Sequence, residues 1–225
     1  TPGVSPDGSV LYFGTADRVL HAVDARNGDR IWKREVPGEM RQEPLFSDGA
    51  AIVACDDGTL LALKGPRPED EVWRLKPDGT PGPLTLANGV LYVPSADQVL
   101  YAIDASRGAL LWKRALSPGV SGRAVRIGGS VGVATRDGRV HFLDAGTGEP
   151  LWTFDAGGSI QGGLAAAGSL VLFGSDDQTF YAVDTNLRTL AWRLKCKGKI
   201  RSIPAVGEGS VFFACEDSLY AVELN

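Results

Sequence analysis

Residues 22–32 read "AVDARNGDRIW". A short apolar run ends at Asp24, an Asn-Gly pair follows at Asn27 and Gly28, and a second strand-like run carries Trp32. Asn-Gly between two β-patterned runs is a strong hairpin signal. The same phrase returns as "FLDAGTGEPLW" at residues 142–152, which is 120 residues further on. Self-similarity at a fixed period points to a repeat architecture.

The period is set by three series. The five tryptophans, Trp32, Trp73, Trp112, Trp152 and Trp192, are separated by 41, 39, 40 and 40 residues. Asp17, Asp57, Asp97, Asp137, Asp177 and Asp217 lie 40 apart throughout. Asp24, Asp104, Asp144 and Asp184 keep the same period, with Lys64 in the vacant slot. Within the first repeat four strand patterns follow one another: "GVS" (3–5), "VLYFG" (10–14), "VLHAVD" (19–24) and "RIWKREV" (30–36). Turn signals separate them, and no stretch shows a helical period. One four-stranded sheet of about 40 residues cannot bury both faces alone, whereas radial packing covers each sheet with its neighbours.

The expected fold is therefore all-β: a β-propeller of about six four-stranded antiparallel blades in a single domain. The blades fall at about residues 1–41, 42–81, 82–121, 122–160, 161–200 and 201–225. Five are complete. The sixth offers "PAV", "VFFAC" and "LYAVEL" but no tryptophan strand, so residues 219–224 should form an open outer edge.

Composition narrows the classes. A net charge of −4 argues against a nucleic-acid partner, since phosphate neutralisation needs a basic face. No apolar run approaches the roughly 18–20 residues that span a bilayer. The three cysteines, Cys55, Cys196 and Cys215, form no metal-knuckle spacing, and their odd number excludes a full disulfide framework. No nucleophile-elbow, zincin or phosphate-loop motif is present.

The phrase Ala22-x-Asp24-x-x-Asn27-Gly28-x-x-x-Trp32 resembles the tryptophan-docking motif of pyrroloquinoline-quinone (PQQ) repeat propellers. Residues 142–152 match it with Phe142 in place of the alanine. Ala102, Asp104, Gly108 and Trp112, and then Ala182, Asp184 and Trp192, match it in part. The second repeat departs, with "LKGPRPEDEVW" replacing the aspartate and the glycine turn. The resemblance covers essentially the whole chain. It implies tryptophans that dock between neighbouring blades. It also implies one of three roles: quinoprotein dehydrogenases, which hold PQQ and calcium in an eight-bladed ring; BamB-like propellers of outer-membrane assembly, which bind no PQQ and act as scaffolds; and sensor domains of bacterial receptor kinases.

Candidate sites lie where the repeats carry chemistry. The tryptophans recur in every full blade and so read as structure. The six-membered aspartate series reads as tight-turn aspartates bonding main-chain N–H groups. His21 and His141 occupy one slot three repeats apart, on opposite sides of a six-bladed ring, so they cannot share a metal ion. Lys195 and Lys197 flank Cys196 and favour its thiolate, which makes it the cysteine to test for reactivity. Arg41 and Arg201 share a slot before the innermost strands, with Arg123 and Arg126 near the same rim. Converging guanidinium groups there would suit a carboxylate or phosphate ligand. In "RLKCKGKIR" (193–201) the charges Arg193, Lys195, Lys197, Lys199 and Arg201 alternate with smaller or apolar residues, and on a strand they face one way. That segment is a candidate patch for an acidic partner.

The leading expectation is a non-catalytic, extracytoplasmic scaffold module of the cell envelope. It has protein partners, among them a membrane-associated β-barrel or attached receptor domains, and no cofactor or metal. The alternatives are a ligand-sensing domain that binds PQQ and belongs to a larger receptor such as a Ser/Thr kinase, and, less favoured, a remnant of a quinoprotein enzyme.

Overall fold

The computed structural model describes residues 1–224; Asn225, the last residue of the sixth expected blade, lies outside the described residues. The chain forms six antiparallel meanders in which spatial order follows chain order. The first holds β1 (Gly3–Val4), β2 (Val10–Gly14), β3 (Val19–Asp24) and β4 (Arg30–Glu35). The second holds β5 (Leu45–Ser47), β6 (Ala50–Ala54), β7 (Leu60–Leu63) and β8 (Glu71–Leu75), with a 3-10 turn at Pro68–Asp70. The third holds β9 (Thr85–Ala87), β10 (Val90–Pro94), β11 (Val99–Asp104) and β12 (Leu110–Ala115). The fourth holds β13 (Val120–Ile127), β14 (Ser130–Thr135), β15 (Arg139–Asp144) and β16 (Pro150–Asp155). The fifth holds β17 (Ala165–Ala167), β18 (Leu170–Gly174), β19 (Thr179–Asp184) and β20 (Thr189–Lys195). The sixth has three strands, β21 (Ala205–Gly207), β22 (Ser210–Cys215) and β23 (Ser218–Glu223). These are the blades of a β-propeller fold. The chain divides into two compact units, residues 1–97 with 102–110, and residues 98–101 with 111–225.

Position within a blade explains composition. Middle strands are covered on both faces, so they read as continuous apolar runs. All five residues of β6 and all four of β7 are buried. Outer strands are covered on one side and alternate, as in β4, β16 and β20. The expected strands agree with those observed to within a residue or two. In the sixth blade β23 runs Ser218–Glu223 and forms the sheet edge among the described residues, with Leu219 76% exposed.

The outer strands β4, β8, β16 and β20 carry a bulge one residue before the tryptophan. Ala22 pairs with Trp32 but Val23 pairs with Arg30, so Ile31 is the extra residue. The same shift follows Ala62–Trp73, Phe142–Trp152 and Ala182–Trp192. The bulge turns the extra residue outward: Ile31, Val72 and Leu151 are exposed.

The aspartate turns join third to fourth strands. Asp144 Oδ1 accepts from the N–H groups of Gly146 (3.0 Å) and Thr147 (2.9 Å), and Gly148 N–H donates to the Asp144 carbonyl at 2.8 Å. Asp24, Asp104 and Asp184 open equivalent turns. In the second blade Asp70 substitutes from the far end of a longer loop: its Oδ2 accepts from Arg67 N–H (3.0 Å) and its carbonyl from Lys64 N–H (2.9 Å).

Candidate functional site

Blades meet along repeated seams. Trp73 donates its indole N–H to the Ala105 carbonyl at 2.8 Å, and Trp112 donates to Ala145 at 3.0 Å. Both rings lie on the turn glycine of the following blade. A Cβ on Gly108 would meet the Trp73 ring at 2.6 Å, and one on Gly148 would meet Trp112 at 2.5 Å. The other three tryptophans are half-buried, and each packs against a core cluster that includes residues of the following blade: Val53 and Leu61 for Trp32, Val171 and Phe173 for Trp152, and Val211 and Phe213 for Trp192. Trp32 also packs edge-on against Tyr12. Trp152 stacks on Phe142 at 3.9 Å. The turn ahead of it carries Arg188 at positive φ (57°) in the glycine slot, and a space of about 260 Å³ remains among Trp152, Asn186 and Arg188. Trp192 packs against Phe180.

The Asp17 series lies in the turns between second and third strands. Asp57 and Asp177 accept from the N–H groups of Thr59 (3.0 Å) and Thr179 (2.9 Å). Asp137 accepts from the Thr135 hydroxyl at 2.6 Å, and the nearby Thr15 hydroxyl holds the Asp17 carboxyl below its ordinary pKa. A second seam runs here, which the sequence reading missed. Glycines ending one blade lie against the aspartate turn of the next. Built Cβ atoms would meet the main-chain nitrogen of Asp57 from Gly38 (3.0 Å), of Asp97 from Gly79 (2.6 Å) and of Asp177 from Gly158 (2.8 Å); from Gly198 the Cβ would meet Glu216 N at 3.3 Å in the Asp217 turn. Main-chain bonds repeat beside them, from Asp56 N–H to Glu39 (2.9 Å) and from Asp176 N–H to Ser159 (2.8 Å). The signal was a glycine at nearly every fortieth position. No cluster of three or more His, Cys, Asp or Glu that could hold a metal occurs among the described residues.

The rim arginines are engaged locally. Arg41 lies 3.4 Å from Glu39 and 3.5 Å from Asp56. Arg201 forms a two-pronged pair with Asp176 at 2.8 and 3.2 Å. Arg123 is half-buried on β13, and its carbonyl accepts from Leu164 N–H at 3.3 Å. The expected placement of Arg126 beside that rim needs correction. β13 is eight residues long, and Arg126 sits at its far end, where it binds the carbonyls of Gly128 and, at 3.0 Å, Ser130 in the β13–β14 hairpin. That is the end opposite the aspartate turn of its blade, so Arg126 and Arg201 do not converge.

The expected reactivity of Cys196 is likewise corrected. All three cysteines are buried. Burial pushes the Cys196 thiol up, and this outweighs the pull of Lys195. Burial pushes Cys55 up to about 11. His21 stacks on Phe13, and His141 contacts the hydroxyls of Thr135 (3.2 Å) and Thr153 (3.5 Å), with burial lowering its pKa.

In the basic segment, Arg193, Lys195, Lys197, Lys199 and Arg201 are exposed while Cys196, Gly198 and Ile200 are buried, although the strand itself ends at Lys195. Arg193 and Lys195 pair in register with Tyr181 and Thr179 of β19. Together with Gly157 and Asp177 these four line a cleft of about 520 Å³. On its floor the Tyr181 hydroxyl donates to Asp177 Oδ2 at 2.5 Å and accepts from Gly157 N–H at 3.2 Å. Burial, and then the Asp177 bond, raise the Tyr181 pKa. The Lys195 ammonium donates to the Asp177 main-chain carbonyl. The cleft presents cations and hydrogen-bonding groups, an arrangement suited to an anionic group.

Comparisons with known proteins agree with this architecture. The family model described as outer membrane protein assembly factor BamB matches residues 1–67, 65–160 and 136–224. The curated BamB of Yersinia pestis is 29% identical over 122 residues, which cover 51% of this chain and 30% of that protein. The BamB of Moranella endobia (strain PCIT) is 25% identical over 123 residues, 51% of this chain and 31% of that protein. The matched regions thus span about a third of those relatives. Among solved structures, the computationally designed Ika8 protein superposes with a TM-score of 0.82 at 19% identity, covering 99% of this chain and 70% of that one. BamB from Moraxella catarrhalis superposes with a TM-score of 0.59 at 20% identity, covering 98% and 81%. Repeat motifs, meander sheets and a family match along nearly all of its length lead to one assignment: the chain belongs to the BamB family of PQQ-like repeat β-propellers.

Proposed function

We propose that this chain is a non-catalytic scaffold module of the cell envelope that holds protein partners during outer-membrane protein assembly. The observation that carries the reading is the family match from residue 1 to residue 224. The matching curated relatives are themselves named as outer membrane protein assembly factors. The residue series in which a cofactor platform could have been sought, the tryptophans and the turn aspartates, are engaged in joining strands and blades. No helix among the described residues is long and apolar enough to cross a membrane. The module works through its loops and outer strands, with PQQ playing no part.

Two measurements test this. Affinity-tagged chain expressed in a Gram-negative envelope, followed by crosslinking, should co-purify a component of the outer-membrane β-barrel assembly machinery. Titration with PQQ and calcium should leave the tryptophan fluorescence unquenched. Saturable quenching at micromolar PQQ, with no assembly component captured, would falsify the scaffold reading and favour a ligand sensor.

A further inference from the structure

The tetrapeptide Trp-Arg-Leu-Lys occurs twice, at residues 73–76 and 192–195, on the outer strands of the second and fifth blades. The two copies have different electrostatic fates. In the first, Arg74 binds Glu71 at 2.9 and 3.0 Å, and Lys76 lies 3.6 Å from Asp57. Both cations are neutralised within their own blade. In the second, Leu190 occupies the position of Glu71, and Tyr181 occupies that of Leu61. The Tyr181 hydroxyl and the Thr179 N–H hold the Asp177 carboxylate, and Lys195 reaches only the Asp177 main-chain oxygen. Neither Arg193 nor Lys195 forms an ion pair among the described residues.

We propose that this cleft docks an acidic protein segment, with one side-chain carboxylate bridging Arg193 and Lys195. The charges fit. Two cations and the Asp177 carboxylate leave a net single positive charge, which one carboxylate neutralises. A dianionic phosphate would stand against Asp177. A guanidinium grips a carboxylate through two parallel N–H bonds, and the lysine adds a point charge. A volume of about 520 Å³ receives a side chain with its main chain rather than an ion alone. The exposed Lys197 and Lys199 continue the positive track towards the next acidic residue. In a chain of net charge −4 this is a local reversal of sign, which guides an acidic partner to one place. The inference rests on the scaffold reading only in taking the partner to be a protein.

The test is titration of the purified chain at low salt with a blocked heptapeptide of alternating glutamate and glycine, followed by calorimetry. Saturable binding is expected, and none with the glutamine counterpart. Arg193→Gln and Lys195→Gln, both at exposed side chains, should each weaken binding by about two- to fivefold. Arg74→Gln and Lys76→Gln remove the same charges from the second blade and should leave binding unchanged. Tyr181→Phe removes no charge but frees Asp177 to pair with Lys195 as Asp57 pairs with Lys76, so it should also weaken binding. Equal losses from both blades, full binding to Tyr181→Phe, or no binding of the glutamate peptide overturns the proposal. So does tighter binding of inorganic phosphate or phosphatidylglycerol vesicles at Arg193 and Lys195. Loss of peptide binding with assembly partners still captured removes this cleft and leaves the scaffold reading in place; the converse removes the scaffold reading alone.

Discussion

At Gly148 two independent demands fall on one residue. Its φ of 72° lies in the left-handed region, and a Cβ there would enter the Trp112 ring at 2.5 Å. Gly28 shares the conformation, with φ at 79°, but a Cβ there meets nothing within 4 Å. The pair therefore separates backbone strain from seam packing. Gly28→Ala should lower the unfolding free energy by about 1 kcal/mol, the ordinary cost of a left-handed alanine. Gly148→Ala should lower it by about 3 kcal/mol, because overpacking against the indole is added to the strain. Urea denaturation of the two variants measures both values. Equal losses would mean that the tryptophan seam yields freely. Arg188 shows that the fold tolerates the opposite choice: a side chain in the same slot, at φ 57°, accompanies a tryptophan that is only half-buried.

Between elements, arginines on outer strands reinforce the seams. Arg34 reaches from β4 to the second blade, where it binds the Arg67 carbonyl at 3.0 Å and Glu71 at 2.6 Å. Both side chains of that ion pair are largely covered, at 13% and 19% exposure. Arg114, two repeats on, binds the Gly148 carbonyl at 2.8 Å and Glu149 at 2.7 Å, but Glu149 is 69% exposed. Glu71→Gln should therefore cost about 1–2 kcal/mol, since a charged hydrogen bond is lost where water cannot replace it. Glu149→Gln should cost less than about 0.5 kcal/mol, as exposed pairs do. Thermal melts of the two variants decide it, and equal shifts would refute the distinction. The Arg34 anchor lies where the glycine turn is missing, and it was not legible in the sequence. The tryptophan register and the aspartate turns were legible, because a role repeated in every blade leaves a period. The Gly38, Gly79, Gly158 and Gly198 seam left one too, hidden among 29 glycines. The alternation of residues 193–201 was readable, but not that Arg193 and Lys195 form no ion pair among the described residues. That depends on Tyr181 engaging Asp177, a contact set by the register of β19 against β20. Arg126 was assigned to the wrong end because its place depends on the length of β13.

Across the molecule, these local environments set how stability responds to pH. Hydrogen bonds from Ser5 lower Asp7 to about 2, and the Arg26 side chain lowers Asp24 to about 2. Main-chain and side-chain donors lower Asp144, Asp184 and Asp104 in the same sense. A carboxyl depressed in the folded state stabilises fully above its unfolded pKa, about 4, and the contribution disappears as pH falls towards about 2. At the other end, burial pushes Cys55 to about 11 and also raises Tyr12 and Tyr181. These groups are neutral when folded. Their contribution is complete below the unfolded thiol value near 8.5 and is lost as pH rises through about 11. Stability should therefore be flat from about pH 7 to pH 8; below about 6.5 the lowered His141 begins to erode it, followed by an acid limb set by turn aspartates, and an alkaline limb is set by buried thiol and phenol groups. The plateau would lie well above the isoelectric point of about 5.2, so a maximum at that pH would contradict the argument. Urea midpoints measured from pH 2.5 to pH 11 test this. Cys55→Ser isolates the thiol. The equivalent slots hold Thr15, Ser95, Thr135 and Ser175, and the Ser175 hydroxyl donates to the Gly158 carbonyl at 2.9 Å. Hydroxyl side chains already fill the equivalent slots of the other blades, so the variant should fold normally. Its alkaline limb should be shallower than that of the parent while its acid limb is unchanged, and an unchanged alkaline slope would take Cys55 out of the account.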